Sequence, residues 1–248
     1  PLFVLLLMTI LVITNTVRMG APALFKFSLA IFPITLGSYL ILVLLLAGLG
    51  QIRIENMLPM LENGWKPILD AAFPEILSFP FGQAVLFLVF FPLVANSVRK
   101  VKKSMYIAYA SIALSLTVLN QIIILVLGPG IAANCSLPLL QAVQLIEVGD
   151  VFERMDIIFV LILFIGLGTK LAAFSIGAAI GLRRLTRMNY KLASVLVGAA
   201  VYAVSFLSPN YTHHIWMGKQ VLYAYPVFHA AFPVLLYVVM LIRRKKAA

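Results

Sequence analysis

Long apolar runs separated by shorter polar segments dominate the pattern of hydrophobic and polar positions along this chain. A helix of about 20 apolar residues is long enough to cross the roughly 30 Å hydrocarbon core of a bilayer. The pattern predicts seven such spans, of which the first is short: Leu2–Val17, Phe27–Leu49, Ala84–Val98, Met105–Leu127, Ile157–Leu182, Leu192–Leu207 and Val221–Ile242. We therefore predict an all-α fold, a polytopic membrane helix bundle.

One apolar stretch, SFPFGQAVLFLVFFP at Ser78–Pro92, contains a proline and a glycine where a spanning helix should continue. The preceding segment, Asn63–Phe79, is too polar to cross a membrane alone, and Ala84–Val98 is too short to do so. Joined, the two segments are long enough for one span. The pattern therefore predicts one interrupted span with a broken helix near Pro80–Gly82. We expect Phe79–Gln83 to be non-helical and to face the protein interior.

The predicted break suggests a binding site, because non-helical backbone at membrane depth is tolerated only where it is buried in protein or lines a cavity. At such breaks the amides that open a half-helix bind anions, and freed carbonyls bind cations. A carboxylate is the natural ligand for the amides that open the inner half here, those of Gly82, Gln83 and Ala84. In the alternative interpretation, Pro80 and Gly82 only kink a helix whose neighbours replace the lost hydrogen bonds.

The composition supports the membrane interpretation, since 63% of the 248 residues are hydrophobic and 11% are charged. Soluble domains have roughly 45–50% apolar and 25% charged residues. Most of the 19 Lys and Arg lie in clusters at span ends, and the eight Asp and Glu lie in the other segments, which is the positive-inside pattern. This pattern places the carboxyl terminus in the cytoplasm and accounts for the net charge of +11 without a nucleic-acid partner.

The sequence contains no residue set typical of catalysis or metal binding. It has no Ser-His-Asp spacing, no phosphate-binding loop and no cluster of metal ligands. His213 and His214 are adjacent, but we expect them in an outer loop without a cysteine or acid at ligand spacing. We therefore predict a protein that is not an enzyme and has no cofactor and no metal site.

A charged side chain lies in the middle of the predicted span Ile157–Leu182. Lys170 is adjacent to Thr169 within the small-residue run GLGTKLAAFSIGAA, which permits close helix packing. A charged Lys at mid-span costs at least about 2.5–3.5 kcal/mol on insertion scales. The headgroups are also roughly 15 Å away, too far for its side chain to reach. We therefore expect Lys170 to face the bundle interior and to contact oxygen atoms.

Two long stretches carry motifs of a known family: GWKPILDAAFPEILSFPFGQAVLFLVFFP at Gly64–Pro92 and PLLQAVQLIEVGDVFERMDIIFVLILFIGLGTK at Pro138–Lys170. The most specific motif is FERMD at Phe152–Asp156, and LPMLENGWKPIL at Leu58–Leu69 is a second match. From about Val17 onward, the chain resembles the B subunits of spore germination receptors. These subunits form a branch of the amino acid/polyamine/organocation transporter superfamily.

The resemblance implies a ten-helix fold built from two inverted five-helix halves. In that fold the seven spans would be helices four to ten, so the chain is expected to be N-terminally truncated. Residues 1–49 would end the first half, and residues 57–248 would form the second. The break would lie in helix six, one of the two discontinuous helices of the fold.

The resemblance also implies a nutrient-sensing subunit of the spore inner membrane that works with a second membrane subunit and a lipoprotein. An amino-acid-like germinant would bind at the break and at one residue of the fifth span: Phe79, Pro80, Phe81, Gly82, Gln83 and Thr169. The alternative in the same superfamily is an amino acid permease, proton- or ion-coupled, with the same pocket. The helix of Lys170 lines a sodium site in that superfamily, so its ammonium would replace the cation. In the rival role, a deprotonated Lys170 exchanges protons.

Overall fold

The computed structural model describes residues 2–48, 50–93, 98–146 and 155–246, which are mostly helical with no strand among them. The α-helices in chain order are α1 Leu2–Met19, α2 Ala21–Gly48, α3 Lys66–Ala71, α4 Val98–Leu127, α5 Pro129–Asn134, α6 Pro138–Gln144, α7 Met155–Thr186, α8 Tyr190–Val204, α9 Tyr211–Leu222 and α10 Phe232–Lys246. The 3-10 helices are Ile54–Met57, Phe81–Val89 and Phe91–Leu93, and Val227–Ala231 is a π-helical turn. The segment Ala72–Ile76 is kinked, because Phe73 has extended backbone angles (φ −126°, ψ 128°).

Several of these helical stretches are long and apolar enough to cross a membrane. The four that meet this criterion in the described residues are Ala21–Gly48, Lys66–Val89, Val101–Leu127 and Phe159–Thr186. A fifth results if α9 and Val227–Arg243, which are bent by 44° at a short break, form one span. Phe3–Met19 and Tyr190–Val204 are apolar but shorter. The chain is therefore a multi-pass helical membrane protein, and the count of seven spans stays a prediction.

The interrupted span differs from its prediction in its second half. The helical stretch Lys66–Val89 joins the polar and apolar segments as expected. The expected α-helix Ala84–Val98, however, is wrong, because the chain forms 3-10 helix from Phe81 to Val89 and α4 already begins at Val98. Pro92 accounts for part of the difference, since it has no N–H to donate to the carbonyl four residues earlier.

The last span also differs from its prediction. His213 and His214 lie in α9 rather than in a loop, because the side chain of Asn210 accepts a hydrogen bond from the His213 N–H at 2.8 Å and caps the helix. An unbroken span Val221–Ile242 is likewise wrong, since α9 ends at Leu222 and a π-helical turn precedes α10. Pro226 lies at this interruption, where it cannot donate an α-helical hydrogen bond.

The chain divides into two compact units that interleave along the sequence. Unit 1 comprises the described parts of Pro1–Thr14, Leu61–Leu93 and Phe174–Ala248, and unit 2 those of Asn15–Met60 and Val94–Ala173. The core of unit 2 consists of apolar side chains from α2, α4, α6 and the residues that follow α6: Leu42, Leu46, Ile122, Val126, Ala142, Val143 and Ile146. The expected inverted halves, residues 1–49 and 57–248, stay a prediction.

Candidate functional site

The break lies in unit 1, where the α-helical residues Leu77 and Ser78, which follow the kink at Phe73, are the last before the turn. Phe79 and Pro80 form a turn, and Phe81–Val89 continues as a nine-residue 3-10 helix, longer than the usual three or four residues. The Gln83 N–H donates to the Pro80 carbonyl at 3.3 Å, an i→i−3 bond. α-Helical bonding is thus lost within the expected range. The residues after Pro80 nevertheless form a 3-10 helix. The backbone N–H of Gln83, which was expected from the sequence to be free for a ligand, is already hydrogen-bonded.

The residues expected to bind a ligand differ in their exposure. The Phe79 side chain is 49% exposed, whereas Pro80, Phe81, Gly82 and Gln83 are half-buried. The expectation that the whole segment faces the protein interior is therefore wrong for Phe79. Phe79 lies in the turn that follows the last α-helical residue, so the inward direction of Ser78 does not fix the direction of its side chain.

Ser78 is the buried polar residue at the break. It is 1% exposed, and its Oγ has no hydrogen-bond partner among the residues that the structure describes. A buried hydroxyl without a partner costs about 1–3 kcal/mol, so such a group calls for an explanation such as a ligand or an ordered water. Sequence reasoning missed Ser78, because nothing in its local pattern separates a buried serine from an exposed one.

His229 connects the last span to the break. It lies in the π-helical turn Val227–Ala231, and its Nδ1 is 3.2 Å from the Ser78 carbonyl oxygen. A carbonyl oxygen only accepts, so the bond requires the proton on Nδ1. The imidazole thus supplies a donor to a carbonyl at the end of an α-helix, where helical donors run out. The Tyr225 ring packs against the imidazole with a centroid distance of 4.9 Å.

Gly82 allows this close approach. A Cβ built on Gly82 would lie 2.8 Å from both Cβ and Nδ1 of His229, closer than real Cβ contacts. The space beside Gly82 is therefore already filled by His229. A larger side chain at Gly82 would therefore displace His229.

The second half of α7 also packs on the interrupted span within unit 1. A Cβ at Gly177 would lie 2.7 Å from Cδ1 of Leu86, in the 3-10 helix. Ile176 and Ala179, on the same stretch of α7, are fully buried. The small-residue run of this helix thus permits close packing, as its sequence predicts.

Thr169 and Lys170 belong to unit 2, in the middle of the 32-residue α7. Both side chains are half-buried. The Thr169 hydroxyl donates to the Ile165 carbonyl at 2.8 Å, so its proton is already used within the helix. Their roles in ligand or cation binding stay predictions.

Unit 2 contains a cavity of ≈ 280 Å³ between α2, α6 and the first half of α7. Its lining is mainly apolar: Thr35, Ser38, Tyr39, Ile41, Leu42, Leu45, Leu139, Val143, Ile146, Phe159 and Ile162. The three hydroxyls in that lining all donate to backbone carbonyls, at 2.8–2.9 Å: Thr35 to Phe32, Ser38 to Thr35 and Tyr39 to Ser115. The cavity therefore offers a ligand no unused hydroxyl proton and suits an apolar occupant.

The remaining candidates offer no metal centre within the described ranges. No group of three or more His, Cys, Asp or Glu there is placed to hold a metal ion. His213 packs beside Trp216 with a ring-centroid distance of 5.5 Å, and His214 is exposed. Of the FERMD motif, residues 152–154 lie outside the described residues.

Comparisons with known proteins agree with the resemblance. The spore permease family model, described as spore germination protein, matches residues 1–213. The chain is also 30% identical over 201 residues to Spore germination protein KB of Bacillus subtilis (strain 168), an alignment that covers 79% of this chain and 54% of that protein. The chain thus spans about half the length of this curated relative. No solved structure is significantly similar. On the strength of the family match, the chain belongs to the spore permease family of spore germination proteins.

Proposed function

We propose that this chain is the nutrient-sensing subunit of a spore germination receptor and that it binds a small, amino-acid-like germinant at the break. The family membership supports the germination role. The observation that carries the site is the Ser78 hydroxyl, which is buried without a partner where the α-helix ends. A ligand with polar groups would offset the cost of that hydroxyl.

The surroundings of Ser78 suit an amino-acid-like molecule. The break opens the 3-10 helix Phe81–Val89, whose amide end carries a partial positive charge that favours a carboxylate. The half-buried Gln83 side chain offers both a donor and an acceptor. Pro80 and Phe81, also half-buried, present apolar surface. A zwitterion with a small apolar side chain matches this set of groups.

The assembly forms the second part of the proposal. As in the receptors that the chain resembles, it would work in the spore inner membrane with a second membrane subunit and a lipoprotein. Its basic carboxyl-terminal residues would lie in the cytoplasm, following the positive-inside pattern. Ligand binding would shift the interrupted span, and the partner subunits would pass on the change.

The test is Ser78→Ala in the full-length gene, in spores whose only germination receptor contains this protein. The probe is an equimolar mixture of the twenty common L-amino acids, and the readout is the concentration that gives half-maximal germination. We expect this concentration to rise about tenfold, which corresponds to about 1.4 kcal/mol, near the upper end for one hydrogen bond. Membrane abundance and thermal stability should be equal or higher, because the variant removes a buried unpaired group.

Ser38→Ala is the matched control, since the Ser38 hydroxyl already donates to the Thr35 carbonyl at 2.9 Å. Its response should equal that of the parent. An unchanged response in Ser78→Ala would overturn the site, and parent spores that ignore the mixture would overturn the ligand class. Concentrative uptake of a labelled amino acid by vesicles with the full-length protein alone would establish a permease in place of a sensor.

A further inference from the structure

We infer that His229 is a positioning residue that holds the two sides of the break in place and so sets the affinity of the germinant site. The inference deepens the proposed function and rests on it. His229 lies in the last span, 151 positions after Ser78, whereas the other residues at the break belong to the interrupted span. His229 acts through the break rather than as a contact of the ligand.

His229 lies against one residue on each side of the turn Phe79–Pro80, namely Ser78 and Gly82. On one side, Nδ1 of His229 is 3.2 Å from the Ser78 carbonyl oxygen. On the other side, the missing side chain of Gly82 leaves room for the Cβ and ring of His229. A shift of His229 therefore changes the placement of the last α-helical residue and of the first turn of the 3-10 helix together.

The Ser78 contact bears directly on the proposed site. The same residue carries the carbonyl that His229 binds and the buried hydroxyl that has no partner among the described residues. A fixed carbonyl fixes the peptide plane, and the plane limits where the hydroxyl can point. His229 thus pre-orients the hydroxyl before a ligand binds, which lowers the ordering cost of binding.

Local backbone geometry directs the His229 side chain toward the break. It lies in the π-helical turn Val227–Ala231, which is bounded by Pro226 and by the start of α10 at Phe232. An inserted π turn rotates the following side chains relative to an α-helix, and such turns are frequent at functional sites. The packed ring of Tyr225 limits the rotation of the imidazole on one side.

The first experiment reads the hydrogen bond itself by solid-state NMR on the full-length protein, labelled with ¹⁵N-histidine and held in membranes. A difference spectrum between the parent and His229→Asn isolates the signal of His229. We expect a protonated Nδ1, as donation to the Ser78 carbonyl requires. A His229 signal with unprotonated Nδ1 would overturn the inference.

The second experiment compares two variants in spores with the same amino-acid mixture. His229→Asn keeps an N–H donor near the position of Nδ1, whereas His229→Leu keeps apolar bulk and removes the donor. We expect half-maximal germination to need about tenfold more of the mixture in His229→Leu, as for the loss of one hydrogen bond. The response of His229→Asn should stay close to that of the parent.

A residue that only fills space would give the opposite ranking, with Leu better tolerated than Asn. A parent-like response of His229→Leu, or an equal loss in both variants, would therefore overturn the inference. If His229→Leu does not accumulate in the membrane, the inference is tested by the response of His229→Asn and by the NMR signal. A loss of response in His229→Asn, or an unprotonated Nδ1, would then overturn it. Failure of the proposed function is distinguishable, because it appears as an unchanged response in Ser78→Ala whatever the His229 variants do.

Discussion

The break in unit 1 and the cavity in unit 2 differ in whether their hydroxyl groups have hydrogen-bond partners. At the break in unit 1, the buried hydroxyl of Ser78 has no partner among the described residues. In the cavity of unit 2, the hydroxyls of Thr35, Ser38 and Tyr39 all donate to backbone carbonyls. The break thus has a buried hydroxyl that can still bond to a ligand, whereas the hydroxyls of the cavity already donate to carbonyls of the protein.

This difference shows that the chemistry of the walls, rather than their volume, identifies a site for a polar ligand. A cavity of ≈ 280 Å³ is a natural place to look for a small molecule. A germinant placed there would have to leave its charged groups without unused hydroxyl donors, and unpaired polar groups are costly at membrane depth. This contrast supports the proposal that the germinant binds at the break, and it suits the cavity to an apolar occupant.

The largest effect should come from Gly82→Ala, which tests the close contact on which the break depends. The added Cβ would lie 2.8 Å from Cβ of His229, which is close to the backbone and cannot simply rotate away. We expect a loss of about 1–3 kcal/mol in stability, as is usual for overpacking, and lower membrane abundance by immunoblot. Gly37→Ala in unit 2 is the matched control, because a Cβ at Gly37 meets nothing within 4 Å. Normal abundance and response in Gly82→Ala would contradict the contact.

Lys170→Met tests whether unit 2 contributes a charge to signalling. Lys170 is half-buried in the middle of α7, and Met keeps most of its volume while removing the ammonium. We expect germination to be lost at normal membrane abundance, because a charged group at this depth is retained for function. Lys103→Met, at an exposed position near the start of α4, should respond like the parent. A full response in Lys170→Met would reject both the fixed-cation and the proton-exchange roles.

The smallest effect should come from Leu45→Phe, which partly fills the cavity of unit 2. Cavity-filling substitutions commonly add about 0.5–2 kcal/mol of stability. We expect a small rise in the thermal unfolding temperature of the full-length protein in detergent and an unchanged response to the amino-acid mixture. A strong loss of response at normal abundance would place the germinant in the cavity and reverse the comparison between the units.

The region of the break could be predicted from the sequence, but its partners could not. Pro80 and Gly82 indicate where an α-helix fails, since one lacks a donor and the other favours non-helical backbone. The same local reasoning was wrong about Phe79, whose side chain is exposed, and it expected irregular backbone where a 3-10 helix forms. It also missed the cap at Asn210, so His213 and His214 were expected in a loop.

The sequence by itself determined the membrane class, most of the long helical segments and the approximate position of the break. Each of these depends on residues within about 20 positions of one another, because span length and helix failure are local properties. The tertiary structure decided which serine is buried, why Gly82 must be small and what His229 binds. Ser78 and His229 are 151 positions apart, so only packing between distant segments brings the imidazole to that carbonyl. No local pattern of hydrophobic and polar residues encodes that contact.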